Sequence, residues 1–287
     1  MKDSIWRSIR LFISGINAVW SFIYLALAVL LIFGLSYLLG HSILDGKTNF
    51  SEGALIGNDS AFALSLVYWF DRFFPKVPIW YPLQGMGVSL LYSYPMGTTF
   101  LIIILERLLS LSAVEVFRIL SFLTFPLTAL GIYFLTWIRL KRQTVGLIAA
   151  VFFLLSQASW LFQALHGIFA QSFSLILVAP TLLFFDLFLE RLLKGQIRSF
   201  SSRLFFVITV LFMGITYLVH VVTATMIALV LILWSLIRFW FATGPAGLKI
   251  ILKKNFSCLS SGLCNYFIRF RTCGFLVYSF PVLLLAG

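Results

Sequence analysis

The sequence predicts an all-α, polytopic transmembrane helical bundle, with a long outer loop carrying interfacial helices after the first span. Three observations carry that expectation. The 287-residue chain is 61% hydrophobic, with a mean hydropathy of +1.05. Charged residues make up only 10%, against roughly a quarter in an ordinary soluble domain. The basic residues also fall in short clusters between apolar runs. So few charges cannot cover a water-exposed surface, which excludes a soluble enzyme, a disordered chain and a collagen-like fibre.

Cations outnumber anions, 21 Lys and Arg against 9 Asp and Glu, for a formal net charge of +12. They cluster at Lys2, Arg7 and Arg10, at Arg139, Lys141 and Arg142, and at Arg191, Lys194, Arg198 and Arg203. Arg238 follows, then Lys249, Lys253 and Lys254. Clustered Lys and Arg at span ends mark the cytoplasmic side of a membrane protein. The charge therefore punctuates spans, and the expected partner is a lipid membrane, with no nucleic acid.

No charge lies between Arg10 and Asp45. That run is too long for a signal-peptide core, and no small-residue cleavage site follows it, so a retained signal-anchor is expected. Residues 1–40 then form a cytoplasmic N-terminus and a first span over about 20–39, and the chain emerges on the outer face from residue 41.

Residues 41–115 differ in kind. They hold six of the nine acidic residues: Asp45, Glu52, Asp59, Asp71, Glu106 and Glu115. Asn58-Asp59-Ser60 offers helix N-cap residues, and Pro75 offers a stop. The helix between them is apolar on most sides, as a helix lying at the membrane interface would be. Residues 95–110 read as a second interfacial or half-embedded helix. Counting them as a full span would put the Arg139 and Arg191 clusters outside, against the positive-inside rule.

Residues 116–254 are expected to form a bundle of about five spans. One runs over about 116–138, one returns over 144–158, and one occupies 169–189. Leu204 to Ile237 is uncharged and has basic residues at both ends, so it is expected to form a hairpin turning near His220. Residues 255–287 are atypical. All three cysteines (Cys258, Cys264, Cys273) fall there in no metal-site spacing, which suggests a truncated or altered C-terminal span.

Motifs for a metalloprotease, a phosphate loop, a nucleophile elbow or a redox pair are absent from the sequence. Asp59 is the leading candidate for chemistry. A carboxylate at the membrane boundary serves as general base on a hydroxyl or as ligand to a divalent cation; helix N-capping is its commoner role. His166 and His220 are expected on the same side, where capping or packing is again the commoner use of a lone His. Trp80, Tyr81 and Tyr94 sit among turn residues and offer ring faces to sugars or isoprenoid chains, or simply form an aromatic belt. Lys76 and Arg107 are suited to neutralising a phosphate, and also to ordinary headgroup contact.

The order of these features carries a resemblance. Gly57-Asn58-Asp59 follows the first span, then Trp80-Tyr81-Pro82, Gly85 and Tyr94-Pro95. Arg118…Pro126, the run Gln163-Ala164-Leu165-His166-Gly167-Ile168-Phe169-Ala170-Gln171 and His220-Val221-Val222-Thr223 come after. Over about residues 15–240 the chain resembles the bacterial and archaeal integral membrane proteins with a "6-pyruvoyl-tetrahydropterin synthase-related" membrane domain. These in turn resemble the GT-C superfamily of polyprenyl-phosphate-sugar-dependent glycosyltransferases. The resemblance implies a multi-pass protein of a prokaryotic plasma membrane and an outer-face active site in the first loop. It also implies Asp59 as base or metal ligand; the cofactor is left open, a divalent cation such as Mg or Mn being the candidate. Many relatives carry a His a few residues after the acid and a paired Asp-x-Asp; this chain has neither.

The expected function is transfer of a sugar from a polyprenyl-phosphate donor to an outer-face acceptor. The rival is a polyisoprenoid or lipid transporter, or a non-catalytic membrane assembly partner. Transporters usually place functional charges at mid-membrane, and the long runs here are nearly charge-free.

Overall fold

The computed structural model describes residues 2–45, 47–48, 51–52, 58–78, 80–82, 88–89, 96–156 and 169–242. Side chains are described for residues 19–41, 60–78, 80–82, 96–156 and 169–242. The chain divides into two units, Met1–Leu231 and Ile232–Gly287. Of the second, only residues 232–242 are described, as the last part of a helix.

Eight helices follow in order among the described residues. They are α1 (Lys2–Asp45), α2 (Asn58–Asp71), α3 (Gly97–Leu109), α4 (Ala113–Leu140), α5 (Gln143–Leu155), α6 (Phe169–Leu193), α7 (Phe200–Val219) and α8 (Val221–Ala242). Two short antiparallel pairs complete the first unit: β1 (Lys47–Thr48) with β2 (Ser51–Glu52), and β3 (Trp80–Tyr81) with β4 (Val88–Ser89). Among the described residues five helical segments are long and apolar enough to cross a membrane: Val19–His41 within α1, then α4, α6, α7 and α8. The protein is thus a helical, integral, multi-pass membrane protein.

The first loop follows the expectation. α2 starts at Asn58, ends at Asp71, and gives way to turns before Pro75. α3 has 13 residues, about 20 Å of rise against roughly 30 Å of hydrocarbon. It is too short to span, as the charge argument requires. The expected return over 144–158 is described only as far as Ser156. α5 also has only 13 residues, and residues 157–168 lie outside the described set. The expected span after Lys254 and the cysteine-bearing segment lie outside it as well.

α4 sits at the centre. It packs on α1, α5 and α6, with α2 and α3 at its start. Ser112 caps it with a reciprocal pair: the Glu115 N–H donates to Ser112 Oγ, and the Ser112 N–H donates to the Glu115 carboxylate at 2.7 Å. At its other end Lys141 takes a left-handed conformation (φ 55°), which stops the helix and lets the chain reverse into α5. Gly146 then lies so close to Tyr133 that an added Cβ would stand 2.7 Å from its carbonyl oxygen. This is the small-residue contact that lets membrane helices approach closely.

Two apolar clusters follow from this arrangement. One joins α2, α3, the start of α4, Tyr81 and Phe169. The other joins Ala28 and Ile32 of α1 with Phe122, Phe125, Ala129 and Tyr133 of α4 and Ala150 and Leu154 of α5. A third contact is aromatic: Phe184 of α6 lies 6.0 and 5.9 Å from Phe205 and Phe212 of α7, and Phe188 lies 5.3 Å from Phe206.

The fold therefore has two ends. At one, Arg139 reaches α6, with Nε 2.6 Å from Asp186 and Nη1 3.0 Å from Glu190, and Gln143 reaches Ser21 of α1 at 2.7 Å. Lys141, Arg142, Arg191, Lys194 and Arg198 lie at this basic end. At the other, about 39 Å away along α4, Ala113, Val116 and Phe117 pack with α2, α3 and the first residue of α6. The Arg139 and Arg191 clusters share one end, as the alternation of spans demanded.

Candidate functional site

The candidate residues of the first loop gather at the end opposite the basic clusters. Asp59 lies in the first turn of α2, but its side chain is outside the described residues. So are all of His166 and Tyr94. Of the three residues expected to carry chemistry, His220 alone is described in full.

Ser65, on α2, donates its hydroxyl proton to the Phe62 carbonyl at 2.7 Å. Its one proton is thereby used, so Tyr81 must donate to Ser65 Oγ across 2.6 Å. The Tyr81 ring also meets Phe62 and Trp69 edge-on. Fully buried, Tyr81 locks the β3 strand onto α2 and presents no ring face to a ligand. That corrects its assignment as a binding residue. Trp80 alternates to the other side of the strand and is 51% exposed. Its carbonyl accepts the Trp69 indole N–H at 3.0 Å, which fixes the strand and leaves its own ring available.

Lys76 stands exposed on the turn after α2, without an ion pair among the described residues. Arg107 is engaged: its Nη2 is 2.6 Å from Asp71 Oδ1, and its guanidinium lies 4.3 Å from the centre of the Phe74 ring. Both charged partners are about half exposed, so the attraction is screened by water.

His220 forms the joint between α7 and α8. It is a single extended residue (φ −158°, ψ 104°), falling where the sequence placed a turn. Its backbone N–H closes α7 on Thr216 O at 2.7 Å. Its Nδ1 accepts the Thr223 backbone N–H at 3.2 Å and lies 2.7 Å from Thr223 Oγ1. The imidazole thus caps α8. Ser174 of α6 extends the chain of hydroxyls, 2.9 Å from Thr223 Oγ1. Because a backbone N–H points at Nδ1, the neutral ring carries its proton on Nε2. In this geometry Nδ1 is engaged and the remaining polar atom of the ring is a donor, Nε2–H. Burial holds its pKa below the usual histidine value.

Beside this joint, Gly97 opens α3 against the last turn of α7. A Cβ there would stand 2.7 Å from the Leu218 carbonyl oxygen, so only glycine allows that approach. The sequence reading passed over Gly97, and also Thr223 and Ser174 as partners of His220. His is not among the usual N-cap residues, so nothing local announces Thr223 or Ser174.

Among the described residues no three His, Cys, Asp or Glu side chains converge on a metal-sized site. The expected ligand, Asp59, lies beyond what that statement covers. Among the described residues the first loop offers a cation in Lys76, an engaged cation in Arg107 in the last turn of α3 and an exposed indole in Trp80, while the imidazole of His220 stands by the first turn of α3. Comparison of the chain with models of protein families, with curated proteins and with solved structures returned no match.

Proposed function

We propose that the protein is a membrane glycosyltransferase-like enzyme that moves a sugar from a polyprenyl-phosphate donor to an acceptor at the outer face. What supports this reading is the pair of short apolar helices, α2 and α3, on the end of the bundle opposite the basic clusters. If the basic end is cytoplasmic, these helices lie at the outer interface, with Asp59 in the first turn of α2. There a long isoprenoid chain is soluble and a sugar acceptor is accessible.

In this mechanism Asp59 takes the proton of the acceptor hydroxyl as that oxygen attacks the sugar. The bond to the donor phosphate breaks, and its growing negative charge is met by Lys76, with Arg107 exchanging Asp71 for the phosphate. Donors fixed before the reaction stabilise such charge best where water is scarce. The Trp80 ring lies against the sugar or the isoprenoid. His220 contributes a hydrogen bond from Nε2. No step here requires a metal ion.

The test is Asp59→Asn, assayed for sugar transfer in vesicles. Loss of a general base costs about 10²–10⁴-fold in rate. Unchanged turnover would remove Asp59 from the mechanism. Retention of a polyisoprenoid by both forms, with no transfer by either, would favour the transporter or assembly partner. One observation weighs against a transporter: Asp186 is the buried carboxylate among the described residues, and it is held by Arg139 near a span end.

A further inference from the structure

The basic end carries a charge that the fold does not neutralise. Between Arg139 and Arg203 the sequence has seven cations and two carboxylates, Asp186 and Glu190. Both carboxylates are engaged within the fold, Asp186 by Arg139 and Glu190 by Arg139 and Lys194. Arg191 turns its guanidinium to Gln196 Oε1 at 2.7 Å. Four exposed cations remain without an ion pair among the described residues: Lys141, Arg142, Arg198 and Arg203. Lys141 and Arg142 form the reversal between α4 and α5. Arg198 lies in the reversal between α6 and α7, and Arg203 in the first turn of α7. The bonds from Arg139 to α6 bring those reversals to the same end.

A second feature decides what kind of anion this surface suits. Large apolar side chains alternate with the cations: Ile197 is 49% and Phe200 77% exposed, on either side of Arg198. A site for a small soluble anion gains nothing from a bare aliphatic group and a phenyl ring, and here both stand at the ends of apolar spans. A bilayer surface uses both kinds, because apolar groups enter the acyl boundary while ammonium and guanidinium groups meet lipid phosphates.

We infer that Lys141, Arg142, Arg198 and Arg203, with Ile197 and Phe200 between them, form a docking surface for anionic phospholipid headgroups. The surface uses none of the residues assigned to sugar transfer, so either idea stands if the other fails. It gives the basic end a role as a binding surface, beyond setting orientation.

The experiment uses the full chain, purified and passed through mixed phosphatidylcholine and phosphatidylglycerol, with retained lipids counted by native mass spectrometry. The wild-type protein should retain phosphatidylglycerol in preference, and the preference should weaken with salt. Replacing the four cations together (Lys141→Gln, Arg142→Gln, Arg198→Gln, Arg203→Gln) should lower it at least about tenfold. The charge-preserving set Lys141→Arg, Arg142→Lys, Arg198→Lys and Arg203→Lys should retain it. If the fourfold glutamine variant fails to fold, each reversal is neutralised alone, and each double variant should show a partial loss. Equal retention of the two lipids by the wild type overturns the inference, as does an unchanged preference after neutralisation. Displacement of the lipid by millimolar inorganic phosphate overturns it too, since the surface would then be a free-anion site.

Discussion

The two ends of α4 are held by different chemistry. Its start is fixed by a local device, the reciprocal Ser112–Glu115 cap, and by an apolar cluster drawn from α2, α3, Tyr81 and Phe169. Its finish is fixed by charge, with Arg139 bonded to two carboxylates of α6, far along the chain. Around the first end, residues 58–118 carry four anions and four cations; around the second, residues 139–203 carry two and seven. The balanced end is free to bury aromatic surface and to offer single polar groups to a ligand. The basic end is tied down by one pair of carboxylates and faces the headgroups with the rest.

The comparison is broken most forcefully at the charged end. Arg139→Gln takes the guanidinium from Asp186, whose side chain is 7% exposed. We expect a loss of about 3 kcal/mol, the low end for breaking a buried pair, because Arg139 itself keeps a quarter of its surface in contact with solvent. Thermal unfolding in detergent checks this, and a double-mutant cycle with Asp186→Asn isolates the pair. Next come the close helix contacts. Gly146→Ala drives a methyl group toward the Tyr133 carbonyl, and Gly97→Ala drives one toward Leu218. Each should cost about 1–3 kcal/mol. The same unfolding assay checks both.

Smaller effects sharpen the picture at the balanced end. Ser112→Ala removes the α4 cap and should cost about 1 kcal/mol in the same unfolding assay. His220 gives a pH dependence with a definite sign. Its folded pKa is depressed by burial, so the folded state resists protonation. Its contribution is complete above the unfolded value of about 6.5 and is lost as pH falls through that value towards the lower folded one. Melting temperature against pH should fall on the acid side for the wild type, and more shallowly for His220→Asn. The smallest change is Arg107→Gln. The exposed pair with Asp71 is worth about 0.2–1 kcal/mol, so the unfolding assay barely moves while sugar transfer from the polyprenyl-phosphate donor drops.

The legible part of the fold lay in patterns with a local cause. The helix from Asn58 follows from its cap residues, the short helix at 97–109 from its length, and the break at His220 from an uncharged run too long for one crossing. The shared end of Arg139 and Arg191 followed from span alternation. Tyr81 was misassigned because an aromatic beside a turn reads alike whether its ring faces a ligand or the core; Ser65, sixteen positions earlier, decides it. Long-range partners such as Asp186 for Arg139, or Ser174 for Thr223, leave no local trace.

The central claim is that the two ends of α4 lie on opposite sides of one membrane. Single cysteines introduced as Lys76→Cys and Arg142→Cys, with Cys258, Cys264 and Cys273 changed to Ser, would be labelled by a membrane-impermeant maleimide in intact cells. We expect Lys76→Cys to label from outside, and Arg142→Cys to label only after the membrane is opened. Labelling of both positions from the same side would contradict the architecture and the proposed site with it.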